Sequence, residues 1–247
     1  MDILKSAAVW FIVICFLGIL FPVIFLIWLL VLPFDRERLI MHRLINCQSA
    51  VISRLIPVWT VRIEGRQKAA GGKTYVIISN HQSVLDILLL NCLRYDFRWI
   101  SKIENMRVPV LGWYLRMAGY ITVDRGNDES KAEMLERSLD CLNRGTSIML
   151  FPEGTRSLNG EPGLFKRGAF QLAISAGVPI LPVVLDGTSD ILPKHGLVLR
   201  SGYRVKLKVL EPVPPEEFGT DNPDILAAKF QKLITSELNI MRSGNRQ

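Results

Sequence analysis

A chain of 247 residues, 49% hydrophobic and 21% charged, is too apolar for a disordered tail or a highly soluble binding arm, and its length fits one ordinary domain with something left over. One long apolar run and no repeat period of ~20–50 residues exclude a multi-pass channel, a repeat array and a fully soluble protein. The net charge of +7 lies almost wholly beyond residue 34, and a basic body behind an apolar segment points to anionic headgroups or phosphorylated substrates; no lysine-rich run or aromatic stacking signature favours nucleic acid.

Residues 7–34 contain no Asp, Glu, Lys, Arg or His. A secretory signal has an apolar core of roughly 7–15 residues and a small-residue cleavage site. This run has 28 residues and ends in Leu32-Pro33-Phe34, so it reads as an anchor. As one helix it would be about 42 Å long at ~1.5 Å per residue, against a hydrocarbon core of roughly 30 Å, so it can span with tilt or enter one leaflet and bend; Pro22 leaves both options open. Residues 35–59 follow. Met41, Leu44, Ile45, Val51, Ile52, Leu55 and Ile56 take one side at helical spacing, and His42, Arg43, Asn46, Ser49, Ser53 and Arg54 take the other. This predicts an amphipathic helix with a basic polar face, suited to a membrane interface, to packing on the next domain, or to both. If the first helix spans, Arg36, Arg38 and Arg43 outnumber Lys5, and the positive-inside bias puts the large domain on the cytoplasmic side. The expected organisation is a membrane anchor over 1–59 and an α/β domain over 60–247.

From residue 60 short β-rich runs alternate with helical stretches, the pattern of an α/β domain. Strands are predicted at 60–64, 74–79, 120–123, 147–151 and 180–185, with a hairpin pairing 197–200 and 204–210 across Ser201-Gly202. Helices are predicted at 83–93, 110–117, 129–143 closed by Gly145, 163–176 closed by Gly177, and 223–241. Cys15, Cys47, Cys92 and Cys141, separated by 32, 45 and 49 residues, form no metal or disulfide pattern and read as buried free thiols.

Two polar constellations fall just after predicted strands, where α/β sheets place their sites. In Asn80-His81-Gln82-Ser83-Val84-Leu85-Asp86, five residues of continuous helix would turn Asp86 some 140° away from His81. The two side chains can meet if His81 stays on the loop and the helix starts near Ser83. The carboxylate would then accept one imidazole N–H and leave the other nitrogen as a general base. Ser83-x-x-Asp86 equally reads as a plain helix cap, with Asp86 favouring the positive helix end. The second constellation, Phe151-Pro152-Glu153-Gly154-Thr155-Arg156-Ser157, offers an acid, a glycine that permits close backbone approach, two hydroxyls and an arginine fork suited to phosphate. A Pro-Glu-Gly turn is its bland reading. Arg125 and Lys166, also at element ends, would add cations for one phosphorylated ligand.

Together with Gly119-Tyr120-Ile121-Thr122-Val123-Asp124-Arg125 and Val178-Pro179-Ile180-Leu181-Pro182-Val183, these runs resemble, in order and spacing, the four blocks of the lysophosphatidic acid (1-acyl-glycerol-3-phosphate) acyltransferases. The resemblance covers roughly residues 60–215. It implies a mixed, mostly parallel sheet flanked by helices and preceded by a membrane-embedded helical segment. It also implies His81 as general base and Asp86 as its orienting partner, with Arg125, Glu153, Gly154, Thr155 and Arg156 on the substrate phosphate and Pro179 on the acyl-donor side.

The expected reaction moves a fatty acyl group from a thioester to the sn-2 hydroxyl of 1-acyl-glycerol-3-phosphate, giving phosphatidic acid with no acyl-enzyme. No Gly-x-Ser-x-Gly run is present, and Ser83 fits a cap better than a nucleophile. Lys102, or a backbone N–H near Gly154, is expected to meet the oxyanion, and Lys166 stands with Lys102 as a candidate on that side. No bound cofactor or metal is expected; the co-substrate is an acyl thioester of coenzyme A or acyl carrier protein. The partners are the bilayer and lysophosphatidic acid, the place the bacterial inner membrane with the domain facing the cytoplasm, and the acyl chain is expected between the sheet and the helix holding 108–117. Rival readings are an acyltransferase for another lysophospholipid, a non-catalytic membrane-tethered lipid-binding module, and a metallohydrolase, the last disfavoured because His42 and His195 lack ligand spacing.

Overall fold

The computed structural model describes residues 3–56, 59–69 and 72–243. Eight helices are described: α1 (Ile3–Val31), α2 (Leu39–Leu55), α3 (Leu85–Asn91), α4 (Leu111–Met117), α5 (Asp128–Asn143), α6 (Gly168–Ala176), α7 (Thr188–Ile191) and α8 (Pro223–Ser243). Seven strands, β1 (Trp59–Glu64), β2 (Val76–Ser79), β3 (Phe97–Lys102), β4 (Ile121–Val123), β5 (Ser147–Leu150), β6 (Ile180–Asp186) and β7 (Tyr203–Val209), form one sheet in the order β1-β7-β6-β2-β5-β3-β4. Every neighbouring pair is parallel except β6 with β7. The chain is thus an α/β protein with a mixed, mostly parallel sheet, and the C-terminal ends of β2, β5, β3 and β4 open on one edge.

The period of two along a strand sorts the core into two layers. Ile77, Trp99, Met149 and Leu181 face α1 to α4, whereas Val76, Ile78, Ile148 and Ile180 face α5, α6 and α8. Because helices cover both faces, β2 is buried at every position and β6 at all but its last, which is why these runs read as unbroken apolar segments. At the N-terminus of α5 the Asn127 side chain accepts the Ser130 N–H at 3.1 Å, and Asp128 and Glu129 add charge favourable to the helix dipole.

Four expectations change. The segment 97–102, for which the charged and aromatic mixture predicts no element, is β3; it carries a buried Arg98 whose guanidinium donates to the Ala118 carbonyl at 2.9 Å. The 197–200 and 204–210 hairpin does not form: β7 lies between β1 and β6, while the 197–199 backbone meets α1. Helix α6 starts at Gly168, not at residue 163, because Gly163 is held in the loop by Glu153. The cysteines are free, but of the four only Cys141 is buried; Cys15 and Cys92 are half-buried and Cys47 is exposed.

Helix α2 forms where periodicity places it, but the face it turns inward mixes residues of both expected sides. His42, Asn46, Gln48 and Ser49 are buried with Met41, Ile45 and Ile52, while Ile40, Val51 and Leu55 are exposed. The reason is the surface it covers, which offers polar partners: Tyr120 Oη and the Tyr95 carbonyl for His42, Tyr114 Oη for Gln48, and the Asn91 amide for Ser49. Ile24 of α1 and Met41, Ile45 and Ile52 of α2 belong to the same core as the sheet, so the expected division at residue 59 marks a change of composition and not a break in packing. Residues 1, 2, 57 and 58 of that segment and the chain end from 244 lie outside the described residues.

Candidate active site

His81 follows the end of β2, on the loop expected for it. Strand β2 is prolonged by Asn80, whose side chain imitates a backbone pair with Leu185: its amide donates to the Leu185 carbonyl at 2.8 Å and its oxygen accepts the Leu185 N–H at 2.9 Å. The next residue is therefore delivered to the sheet edge in a fixed direction. His81 Nδ1 lies 2.8 Å from Asp86 Oδ2. The same oxygen accepts the N–H groups of Gln82 at 2.6 Å and Ser83 at 2.9 Å, and Asp86 Oδ1 accepts the Thr188 hydroxyl. Asp86, fully buried, is surrounded by donors; it accepts Nδ1–H and leaves Nε2 of His81 with the lone pair. Ser83 is also buried, and its hydroxyl donates to the Leu192 carbonyl at 2.7 Å, so it faces away from any nucleophilic role.

The third block braces the first. Glu153 Oε1 accepts the His81 N–H at 2.7 Å and Oε2 accepts the Gly163 N–H at 2.8 Å, while the Ser157 N–H donates to the His81 carbonyl at 2.7 Å. Burial pushes the Glu153 carboxyl above its ordinary value, and its two backbone N–H bonds work in the other direction. Both oxygens are occupied by backbone N–H groups and the charge has the wrong sign for a phosphate, so what Glu153 does in the structure is hold the loop that carries His81. Gly154 has φ 69°, and a Cβ there would come within 3.2 Å of Lys166 Nζ, so glycine permits both the turn and the close lysine. The Arg125 guanidinium donates to the Gly154 carbonyl, tying the second block to the third.

His81 opens into a cavity of ≈ 1010 Å³. Lys102, Arg125, Gly154, Thr155, Arg156 and Lys166 line it as well, so seven of the ten expected site residues share one space. Lys102 pairs with Glu104 at 2.7 Å, whereas Arg125, Arg156, Lys166 and Arg167 have no carboxylate partner among the described residues. Four cations that line one cavity and make no ion pair among the described residues favour an anionic ligand. The same cavity also has apolar lining, with Leu17 of α1, Ile45 and Ile52 of α2, Trp99 of β3 and Val110 and Leu115 at α4. The space beside 108–117 exists as expected, with α2 as an additional wall.

Pro179 stands elsewhere. Ile180 is in register with Val76 and Val183 with Ser79, so Pro179 precedes β6 at the sheet end opposite His81, about 20 Å away along the strand at ~3.3 Å per residue. Its carbonyl accepts the Val76 N–H, and its place is structural. Sequence reasoning missed Thr188, which reaches Asp86 from more than a hundred residues away, and Phe151, whose ring stacks on His81; the only local signal for the latter was its position beside Pro152.

The Acyltransferase family profile matches residues 60–186. The chain is 34% identical over 212 residues to the chloroplastic 1-acyl-sn-glycerol-3-phosphate acyltransferase of Brassica napus, covering 85% of this chain and 60% of that protein. It is 36% identical over 184 residues to 1-acyl-sn-glycerol-3-phosphate acyltransferase alpha of Homo sapiens, covering 74% and 64%. It therefore spans about three fifths of the length of these curated relatives. The crystal structure of the 1-acyl-sn-glycerophosphate (LPA) acyltransferase PlsC of Thermotoga maritima superposes with a TM-score of 0.83 at 25% identity, covering 98% of this chain and 96% of that one.

Proposed function

Because this chain belongs to the acyltransferase family, we propose that it transfers a fatty acyl group from an acyl thioester to the sn-2 hydroxyl of 1-acyl-glycerol-3-phosphate, yielding phosphatidic acid for phospholipid synthesis. The observation that carries this reading is the bare Nε2 of His81, oriented through Nδ1 by Asp86, at the meeting point of four unpaired cations and an apolar cavity. A phosphorylated headgroup and a hydrocarbon chain on one molecule fit those two halves. Its similarity to 1-acyl-sn-glycerol-3-phosphate acyltransferases supports the same acceptor.

Nε2 takes the proton of the acceptor hydroxyl as that oxygen bonds to the thioester carbon. The tetrahedral oxyanion collapses, the C–S bond breaks, and the thiolate leaves with the proton that Nε2 returns. Atoms and charge balance without an acyl-enzyme or a bound cofactor. Arg125, Arg156 and Lys166 hold the phosphate, so binding energy at a remote charge sets the hydroxyl against His81. Lys102 or the N–H groups of the Gly154–Arg156 turn meet the oxyanion. The thiol carrier, coenzyme A or acyl carrier protein, reaches this mouth from the aqueous side.

The anchor fits a one-leaflet arrangement. Near its start Trp10 Nε1 donates to the Leu197 carbonyl at 2.8 Å and Ser6 exchanges hydrogen bonds with Leu199; near its end Phe21 packs on Tyr114 and Phe25 on Trp113. From Trp10 to Phe25 is about 22 Å of helix at ~1.5 Å per residue, all of it in contact with the same domain. A helix that crossed the ~30 Å hydrocarbon core could not touch an aqueous domain at both ends. Phe11, Ile14, Leu26 and Leu30 of α1, with Ile40, Val51 and Leu55 of α2, are the exposed apolar side, and they enter one leaflet, the cytoplasmic one of the bacterial inner membrane, leaving the site level with its lipid acceptor.

Incubating detergent-solubilised protein with labelled acyl thioester and a panel of lysolipids tests this. Labelled phosphatidic acid from 1-acyl-glycerol-3-phosphate should form fastest; no transfer, or a preference for lysolipids lacking the phosphomonoester, would overturn the reading.

A further inference from the structure

One hydrogen bond to Asp86 fixes a point on the His81 ring and leaves its plane free to rock about that bond. The plane is set by something else. The phenyl ring of Phe151, the first residue after β5, lies flat on the imidazole, with centroids 3.8 Å apart and planes inclined by 7°. Trp99 packs against the same phenyl ring at 5.4 Å and is itself pinned: its indole N–H donates to Asn91 Oδ1 at 3.0 Å, and the Asn91 amide donates to Ser49 Oγ of α2 at 3.1 Å. The phenyl ring is therefore backed by a fixed wall, and the imidazole rests against it.

We infer that Phe151 is a positioning residue for the acyl transfer. It holds the His81 plane so that Nε2 faces the cavity, and its negative π face lies over the imidazolium that exists between proton removal from the hydroxyl and proton return to the thiolate. An aliphatic side chain of similar bulk would fill the space without that face or that flatness. The inference rests on His81 being the base of the proposed reaction. Phe151 touches neither the acceptor oxygen nor the thioester in this role; it acts through the ring it supports.

The test uses the full chain in detergent with variants F151L, F151Y and H81A, each checked for a cooperative melt. F151L should lower kcat about tenfold with the KM of both substrates within about twofold, the size of a desolvated cation–π contact, and F151Y should restore kcat to within about threefold. The chain has three histidines, so the ring protons of labelled histidine can be assigned by the signals lost in H81A. Those of His81 should be shifted upfield by the phenyl ring current in the wild type and F151Y and return to ordinary positions in F151L. An unchanged kcat in F151L, an equal loss in F151L and F151Y, or a His81 signal without the upfield shift in the wild type overturns the inference. Should F151L fail to melt cooperatively, F151M takes its place with the same thresholds. An H81A enzyme that keeps full activity sinks the proposed function itself, whereas a dead H81A beside a normal F151L sinks only the role of Phe151.

Discussion

Two histidines in this molecule sit in hydrogen-bonded surroundings, one fully buried and one half-buried, and they hold opposite tautomers. His42, on α2 and fully buried, has Nε2 2.8 Å from the Tyr95 carbonyl and Nδ1 2.8 Å from Tyr120 Oη. A carbonyl only accepts, so Nε2 carries the hydrogen and Nδ1 accepts the phenol. His81 has its hydrogen on Nδ1, held by Asp86, and its bare nitrogen in the cavity. Both rings also meet an aromatic neighbour, edge-on to Phe97 for His42 and face-on to Phe151 for His81. Residue type and a hydrogen-bonded ring do not by themselves separate a joint from a base. The separation comes from whether the second nitrogen is already occupied and what space it faces.

The largest test of that contrast removes the free nitrogen. His81→Ala should lower kcat by ~10²–10⁴-fold, the usual range for a general base, while the thermal transition stays close to wild type because only one side-chain hydrogen bond is lost. Asp86→Asn should follow at roughly 10²-fold, since an amide NH2 would face donors that now meet a carboxylate. Steady-state kinetics beside a melting curve checks both. Loss of rate only in proportion to loss of folded protein would make His81 a second His42.

The next effect belongs to His42 and appears in stability. Burial lowers its pKa from 6.5 to about 4. Between those values the unfolded chain binds a proton that the folded chain refuses, so stability is fully present above about pH 6.5 and falls as the pH is lowered. By pH 4 the loss from this one group is about 3 kcal/mol, at ~1.36 kcal/mol per unit. His42→Gln can keep a donor toward Tyr95 and an acceptor toward Tyr120 without titrating, so its unfolding free energy should fall less steeply over that interval, at unchanged kcat. Parallel curves for the two proteins in denaturant titrations would show that His42 is not the group responsible.

Around the mouth the effect is smaller and of another kind. Arg156→Ala or Arg125→Ala should raise the KM for the phosphorylated acceptor about tenfold, as loss of a charge-assisted hydrogen bond does, and lower kcat less. An acceptor lacking the phosphate should show no such dependence, and an unchanged KM in both variants would remove these arginines from the site.

How much of this was readable beforehand follows from where the information lies. Strands β2, β5 and β6 were legible because helices on both faces demand continuous apolar runs, and His81 with Asp86 because five residues on a loop and a helix start can close one hydrogen bond. Strand β3 was hidden by Arg98, whose buried charge is met by partners far along the chain, the Glu37 carboxylate and a hydrogen bond to the Ala118 carbonyl. The inward face of α2 draws on both expected sides, Met41, Ile45 and Ile52 with His42, Asn46 and Ser49, because the surface it covers decides burial as much as transfer from water does. Here the inner surface offers Tyr95, Asn91 and Tyr114, and the outer apolar residues are suited to lipid. Glu153 looked like a ligand because nothing local reveals that its two oxygens are met by residues 81 and 163. Sequence exposes what is periodic or close, and long-range polar pairs are neither.

The smallest predicted effect tests whether the polar seam of α2 owes its strength to burial. Next to His42, Arg43 makes a two-pronged bond to Asp96, Nε to Oδ1 at 3.0 Å and Nη2 to Oδ2 at 2.6 Å, a better geometry than either contact of His42. Its side chain is 63% exposed, however, so solvent already satisfies both partners when the pair is open. Arg43→Ala should therefore cost only ~0.2–1 kcal/mol, a shift of at most a few degrees in a chain of this size, and the difference should shrink in high salt with kcat unchanged. A salt-insensitive loss as large as that assigned to His42 would mean that the seam is held by charge pairing along its rim, and that the buried imidazole is carried by it.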